Sequence, residues 1–426
     1  MSATSEQGAS PPFTQTREFW VLIVYALALG VFGAFAGLAF MGVVGVGDNW
    51  YTNSNPDWFG GDWWWVAVTA AAGVVVGLLS RVLRVPEKLP GLIADLQEEN
   101  VDERPVPGLV AVSAVSLIGG ASLGPEKALG SMGGGAGGWA SRRRGLDSED
   151  SKVNTLAGFG GAYGGLFSST VIVVMLILEV ARPGGTRLTK ALVGAIVASS
   201  VSFGIYFAVA GSVFLDAYEV PPYKYEDWQL AAGVGFGLLA AVIVTILAVI
   251  MKLASALFGK VKARVLRATI GGAVFGLIGV MLPLTMFTGS DQLKDVISDA
   301  GTLGVGLLIA LVIAKMLAFA VSQASGFVGG PIFPALFLGG TAGVAVNQIF
   351  SGVPLGLAFT CLLAAVPGAL VSAPFSMVLL AAFMTQVGAL QTAPILIAVV
   401  TAFLLMEAVK YAIARRQKQS AVAHAQ

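Results

Sequence analysis

Ser122-Leu123-Gly124-Pro125-Glu126 and, in the second half of the chain, Gly330-Pro331-Ile332-Phe333-Pro334 are the stretches whose residue types could do chemistry. That chemistry is electrostatic rather than covalent. Gly119-Gly120 and then Gly124-Pro125 interrupt any helix arriving from the N-terminal side, and Pro125 suits the first turn of a new helix. The first amides of a helix have no intrahelical partner and carry partial positive charge. Lipid tolerates such a break only where it is buried in protein or lines a cavity. A cavity at that point favours an anion, and paired broken helices in two halves of a chain point to a binding site near the bilayer midplane.

The backbone of Ser122, Leu123 and Gly124 is therefore expected to contact an anion, the alternative being a tight structural turn. Gly330, Ile332 and Phe333 are the candidates on the second break, although Pro331 removes one donor from it. The run Gly133 to Gly138 reads as close helix packing rather than ion contact, and it lacks the Lys and Ser/Thr of a phosphate loop. Lys315, inside an apolar span, reads as a structural ion pair or carbonyl contact before a pore charge.

These breaks must be positioned by membrane helices. The 426 residues are 56% hydrophobic and only 12% charged, with 55 glycines, which is the composition of an all-α polytopic membrane protein. A net charge of +1 argues against a nucleic-acid partner. The single histidine, His424, and single cysteine, Cys361, leave no histidine or cysteine metal site, no imidazole catalysis in the core and no internal disulfide. No cofactor is expected.

Phe19 to about Val46 is long enough to span. The loop Gly47 to Asp62, acidic and rich in tryptophan, reads as outside. The clusters Arg81 to Lys88, Arg142-Arg143-Arg144, Arg182 to Lys190, Lys252 to Arg267 and Lys410 to Lys418 all fall on the other side, so both termini are expected to be cytoplasmic. Residues 1–17 and 415–426 read as tails flanking one transmembrane domain, 18–414, with halves at about 18–211 and 228–411 and no cytoplasmic regulatory domain. Leu89 to Glu99 reads as a half-helix; Asn154 to Leu166 and Ser168 to Glu179 read as a re-entrant pair.

With these motifs in order, the sequence resembles the CLC family of chloride channels and chloride/proton antiporters. Gly124-Pro125 is similar to the family's G-x-x-G-P element, and Gly330-Pro331-Ile332-Phe333-Pro334 to its G-x-F-x-P element. Glu179-Val180-Ala181-Arg182-Pro183 resembles its Glu-Glu-x-Arg-Pro, Leu89-Pro90 its first pore element, and Lys315 has a counterpart. More narrowly, the two breaks resemble a bacterial branch named only provisionally as ion-transport proteins. The resemblance implies an intramembrane inverted repeat with broken helices meeting at a central anion site, and a homodimer with one pore per subunit in the inner (plasma) membrane.

Departures from the family pattern bear on mechanism. In the antiporters a glutamate two residues before the proline is gate and proton carrier; here that residue is Leu123. A second, inner glutamate corresponds to Val180, and the pore serine to Glu87. Glu126 could complement its helix dipole, pair with Lys127, or replace the missing gate by occupying the anion site when ionised. Glu179 reads equally as a proton-access residue or as the partner of Arg182. The expected function is transport of an inorganic anion, chloride foremost, through a channel-like pore. A proton-coupled antiporter using Glu126 and Glu179, and a scaffold that has lost transport, are the rivals.

Overall fold

A computed structural model describes residues 16–53, 63–211 and 215–425. Among the described residues, sixteen α-helices and one 3₁₀ turn account for the ordered elements, and the sole β-type pairing is an isolated antiparallel bridge between Gly124 and Gly330. Eight of the described helices are long and apolar enough to cross a bilayer.

The first half holds α1 (Arg17–Asn53), α2 (Trp64–Val82), α3 (Leu92–Glu98), α4 (Val106–Ile118), α5 (Glu126–Arg143), α6 (Ser148–Leu166), α7 (Thr170–Ala181) and α8 (Thr186–Ala210). The second holds α9 (Trp228–Phe258), α10 (Arg264–Met281), the 3₁₀ turn Pro283–Thr285 and α11 (Ser290–Ser298). It continues with α12 (Val305–Ser325), α13 (Ile332–Ile349), α14 (Leu355–Val371), α15 (Pro374–Thr385) and α16 (Thr392–Ala425). The two breaks read from sequence fall between α4 and α5 and between α12 and α13.

Four boundaries differ from expectation. α6 begins at Ser148 rather than Asn154, because Asp147 caps its start by accepting from the Asp150 amide. α1 continues to Asn53, carrying Asp48 and Trp50 into the helix, while 54–62 lie outside the described residues. α16 runs on to Ala425, through the segment expected to be a tail. Nothing in Lys410 to Lys418 breaks a helix, and charge alone does not stop one that is leaving the bilayer. The half-helix shrinks to seven residues, because Pro90 and Gly91 hold its start back and Glu99 closes it in a left-handed conformation.

The halves close on each other through small residues. Gly73 and Gly77 of α2 lie against the backbone of Ala268 and Val265 on α10, so a side chain at either glycine would collide with main chain. Within the first half, Gly133 and Gly137 of α5 lie as tightly against Gly158 and Asn154 of α6, which accounts for that glycine run as packing. α13 and α14 form the innermost layer; Phe337, Phe359 and Leu363 are fully buried. The outer faces of α1, α9, α10 and α16 expose Trp20, Val24, Val242, Leu253, Met281 and Leu404, as lipid contact requires.

Candidate anion site at the paired helix starts

The two breaks meet. The Gly124 amide donates to the Gly330 carbonyl at 2.8 Å, and the Gly330 amide returns the bond to Gly124 at 2.7 Å. Pro125 and Pro331 each occupy the residue before the first helical turn of α5 and α13. This places two electropositive helix ends beside one short backbone bridge, deep in the molecule.

Two serines, one from each half, satisfy amides that the breaks leave open. Ser116 of α4 accepts from the Val328 amide at 3.1 Å, and Ser322 of α12 accepts from the Ser122 amide at 3.3 Å. The helix entering each break thus caps the other break. Each serine also donates to the carbonyl four residues back in its own helix.

This bonding redistributes the expected anion contacts. The amides of Ser122, Leu123, Gly124 and Gly330 are all spent on protein acceptors, Leu123 on the Ala121 carbonyl at 2.8 Å. The α13 tip is different. Phe333 donates its amide to Glu126 Oε1 at 3.0 Å, and the Ile332 amide also faces that carboxyl. A carboxylate on a helix N-terminus occupies the place that a free anion would take. Glu126 is completely buried, and its Oε2 has no hydrogen-bond partner among the described residues.

The alternative partner for Glu126 is excluded by position. Lys127 turns away and places its Nζ 2.5 Å from Asp95 Oδ2 of α3. Tyr163 of α6 donates its hydroxyl to the Glu126 carbonyl at 2.9 Å and so fixes the first turn of α5. Gly124 and Gly330 flank the carboxyl so closely that a Cβ on either would overlap it. Gly330→Ala is accordingly expected to push the Glu126 carboxyl off the α13 tip. The outcome is a several-fold higher anion flux than wild type in proteoliposomes; unchanged flux would show that the carboxyl does not obstruct the path.

Below the bridge lies a cavity of about 270 Å³ whose wall includes Gly329, Pro331, Lys127, Glu87, Arg264 and Arg267. It links the helix tips to the basic start of α10. Arg264 hydrogen-bonds Glu87 at 2.7 Å and holds its carboxyl below the usual carboxylate range, so Glu87 stays ionised beside its partner. Arg267 Nε is buried with no hydrogen-bond partner among the described residues. With Lys127 paired to Asp95 and Arg264 to Glu87, Arg267 is the cation of this wall that no ion pair among the described residues neutralises, and it makes the wall attractive to anions.

Two residues singled out from sequence lie in other settings. Glu179 closes the N-terminus of α15, accepting from the amides of Phe375 at 2.6 Å and Ser376 at 2.8 Å and from the Ser376 hydroxyl. Arg182 Nε reaches the Glu179 backbone carbonyl at 3.1 Å instead of its carboxylate. Val180 is buried on the same helix. Lys315 donates to the carbonyls of Thr285, Met286 and Phe287 at 3.1, 3.2 and 2.9 Å, the carbonyl contact expected of it. Asp95, Ser116 and Ser322 were missed by sequence reasoning. A buried acid on the half-helix was the one available signal, since serines in apolar helices carry none.

Residues 72–407 match the family model of the voltage gated chloride channel, and the chain belongs to that family. Relatives bearing the provisional name ion-transport protein YfeO, from Salmonella newport and Salmonella typhimurium, are 27% identical over 362 residues, covering 82% of this chain and 85% of theirs. Among solved structures, a slow cyanobacterial chloride/proton antiporter superposes with a TM-score of 0.80 at 18% identity, covering 91% of this chain and 94% of its own. A CLC-type fluoride/proton antiporter gives 0.77 at 17% identity, covering 93% and 97%. At these identities the structures establish the fold: an all-α, multi-pass membrane protein with broken helices. Family membership makes it an anion transporter by class.

Proposed function

We propose that the chain carries small inorganic anions, chloride foremost, passively across the membrane, and that Glu126 is its gate. The observation that carries this reading is the Glu126 carboxyl seated on the Phe333 amide at 3.0 Å, beside the Gly124–Gly330 bridge. An anion arriving through the Arg267-lined cavity meets the α13 tip already filled by a tethered anion. Conduction needs the carboxyl to leave, either through protonation or by competition with the incoming ion. The freed amides of Ile332 and Phe333 then hold the anion weakly enough to release it. Ser122, Leu123, Gly124 and Gly330 shape this site through the bridge and the crossed serine bonds. The chain acts as no enzyme in this scheme, since no bond in the anion is made or broken. It functions as a homodimer in the inner (plasma) membrane, with both termini on the side of the arginine clusters.

Proton-coupled exchange is the second reading, favoured by the same buried carboxyl. A glutamate that must become neutral to vacate the site could take its proton from one side and return it to the other. Glu179 is not free for this, because its carboxylate is engaged with α15. Reconstituted liposomes separate the two. A chloride gradient is expected to discharge without driving protons; proton uptake against a gradient, at a fixed ratio to chloride, would establish coupling. Lack of flux for chloride, fluoride, nitrate and bromide alike would remove both.

A further inference from the structure

A second, larger depression lies away from the pore. It is a groove of about 820 Å³ between the start of α1, the α5–α6 junction and α8. One end is charged: Arg17 and Glu18 on α1, Arg144 after α5, Asp150 on α6 and Lys190 on α8 surround the mouth. The other end is apolar, with Val21, Val24 and Ala28 following up α1. From Arg17 to Ala28 the helix climbs about 16 Å at ~1.5 Å per residue, roughly the depth of one leaflet's hydrocarbon. Trp20, three residues from Arg17, lines the groove near the polar end, the level at which aromatic residues settle in a membrane interface.

The charges at the mouth are not balanced. Lys190 is engaged by Asp150 at 3.0 Å and by Glu18 at 3.4 Å. Arg17 and Arg144 form no ion pair among the described residues, although both line the same groove. Two unmatched guanidinium groups stand above an apolar slot one leaflet deep. Guanidinium forks match phosphate oxygens in pairs, and basic pockets between membrane helices hold acidic headgroups.

The geometry points to a binding site for one anionic glycerophospholipid of the leaflet on the arginine side, its phosphate between Arg17 and Arg144 and an acyl chain along Val21, Val24 and Ala28. Charge complementarity and groove depth together select this occupant. A zwitterionic lipid would bring its own cation to a mouth already short of anions. A free phosphate would leave the apolar length of the slot unfilled.

The test uses the full-length protein, delipidated in detergent and titrated with phosphatidylglycerol or phosphatidylcholine under native mass spectrometry. Wild type should retain phosphatidylglycerol at least about tenfold better than phosphatidylcholine, and Arg17→Gln with Arg144→Gln should abolish that preference. An unchanged melting midpoint shows that the double variant is folded. Equal retention of the two lipids by wild type, or an unaltered preference in the variant, would overturn the site. So would displacement of the lipid by millimolar inorganic phosphate, which would assign the arginines to a free anion. A gain in lipid retention on deleting residues 2–15 would make that segment the native occupant and overturn the lipid assignment as well. Lipid retention is read without any flux, so this result stands apart from the gating scheme.

Discussion

Glu126→Gln is expected to raise chloride flux at neutral pH by about tenfold and to flatten its pH dependence. The size follows from a charged bond becoming a neutral one. A hydrogen bond to a charged group contributes about 1.5–3 kcal/mol against about 0.5–1.5 kcal/mol between neutral groups, and every ~1.4 kcal/mol is a factor of ten in occupancy. Glutamine keeps the size of the side chain and an oxygen for the Phe333 amide, so the packing around Gly124 and Gly330 survives. What disappears is the negative charge that competes with the permeating ion. The sign for pH follows from the same picture. Ionised Glu126 holds the α13 tip and protonated Glu126 releases it, so wild-type flux should rise as pH falls, while the glutamine variant runs fast throughout. Glu126→Ala should act in the same direction. Chloride efflux from liposomes on both sides of neutrality gives the answer. Equal rates and equal pH profiles for wild type and Glu126→Gln would remove Glu126 from the gate.

The same experiment reads out coupling. If protons move with chloride in wild type, the glutamine variant should keep the chloride and lose the protons, because it has no group to titrate at the site. If wild type moves chloride alone, only the rate changes. Leu123 makes this separation clean. It stands where the antiporters of the resembling family carry their glutamate, and it is fully buried with its amide bonded to Ala121. No second carboxyl is present on this break to take over.

What the sequence made legible was local. Gly-Pro pairs announce helix starts because they act within one turn, and both breaks were found that way. Lys315 was readable as a carbonyl contact because an isolated cation in an apolar span has few other solutions. Long-range closure was not legible. Ser116 and Ser322 look like ordinary small residues of membrane helices; only the meeting of the halves decides that they cap amides 212 and 200 positions away. Lys127 lay next to Glu126 in sequence, yet successive residues diverge around a helix, and its partner is Asp95 on another element. Glu179 read equally as a proton-access residue or as the partner of Arg182, and local spacing could not announce the donors its carboxylate meets, Phe375 and Ser376, which arrive from the second half.

Lys315 gives the largest expected loss of stability. Its ammonium has three donors, and the structure supplies three carbonyls, from Thr285, Met286 and Phe287. It is fully buried, with the Phe337 ring 4.9 Å from its Nζ. The segment it ties is connected to the first break, since the Phe287 amide donates to the Gly120 carbonyl at 3.2 Å. Gly120 has a left-handed φ of 80°, a conformation that suits glycine and is held here by that bond. Lys315→Met keeps the length of the side chain and removes all three donors, leaving buried carbonyls unpaired at about 1–3 kcal/mol each. A loss of roughly 3–5 kcal/mol is expected, seen as a lower melting midpoint in detergent. Arginine should rescue poorly, because its planar fork cannot converge on three carbonyls as an ammonium does. The rival assignment makes the opposite prediction. A pore charge replaced by methionine would leave the midpoint in place and change the order of anion preference, and that outcome would move Lys315 from the scaffold into the conduction path.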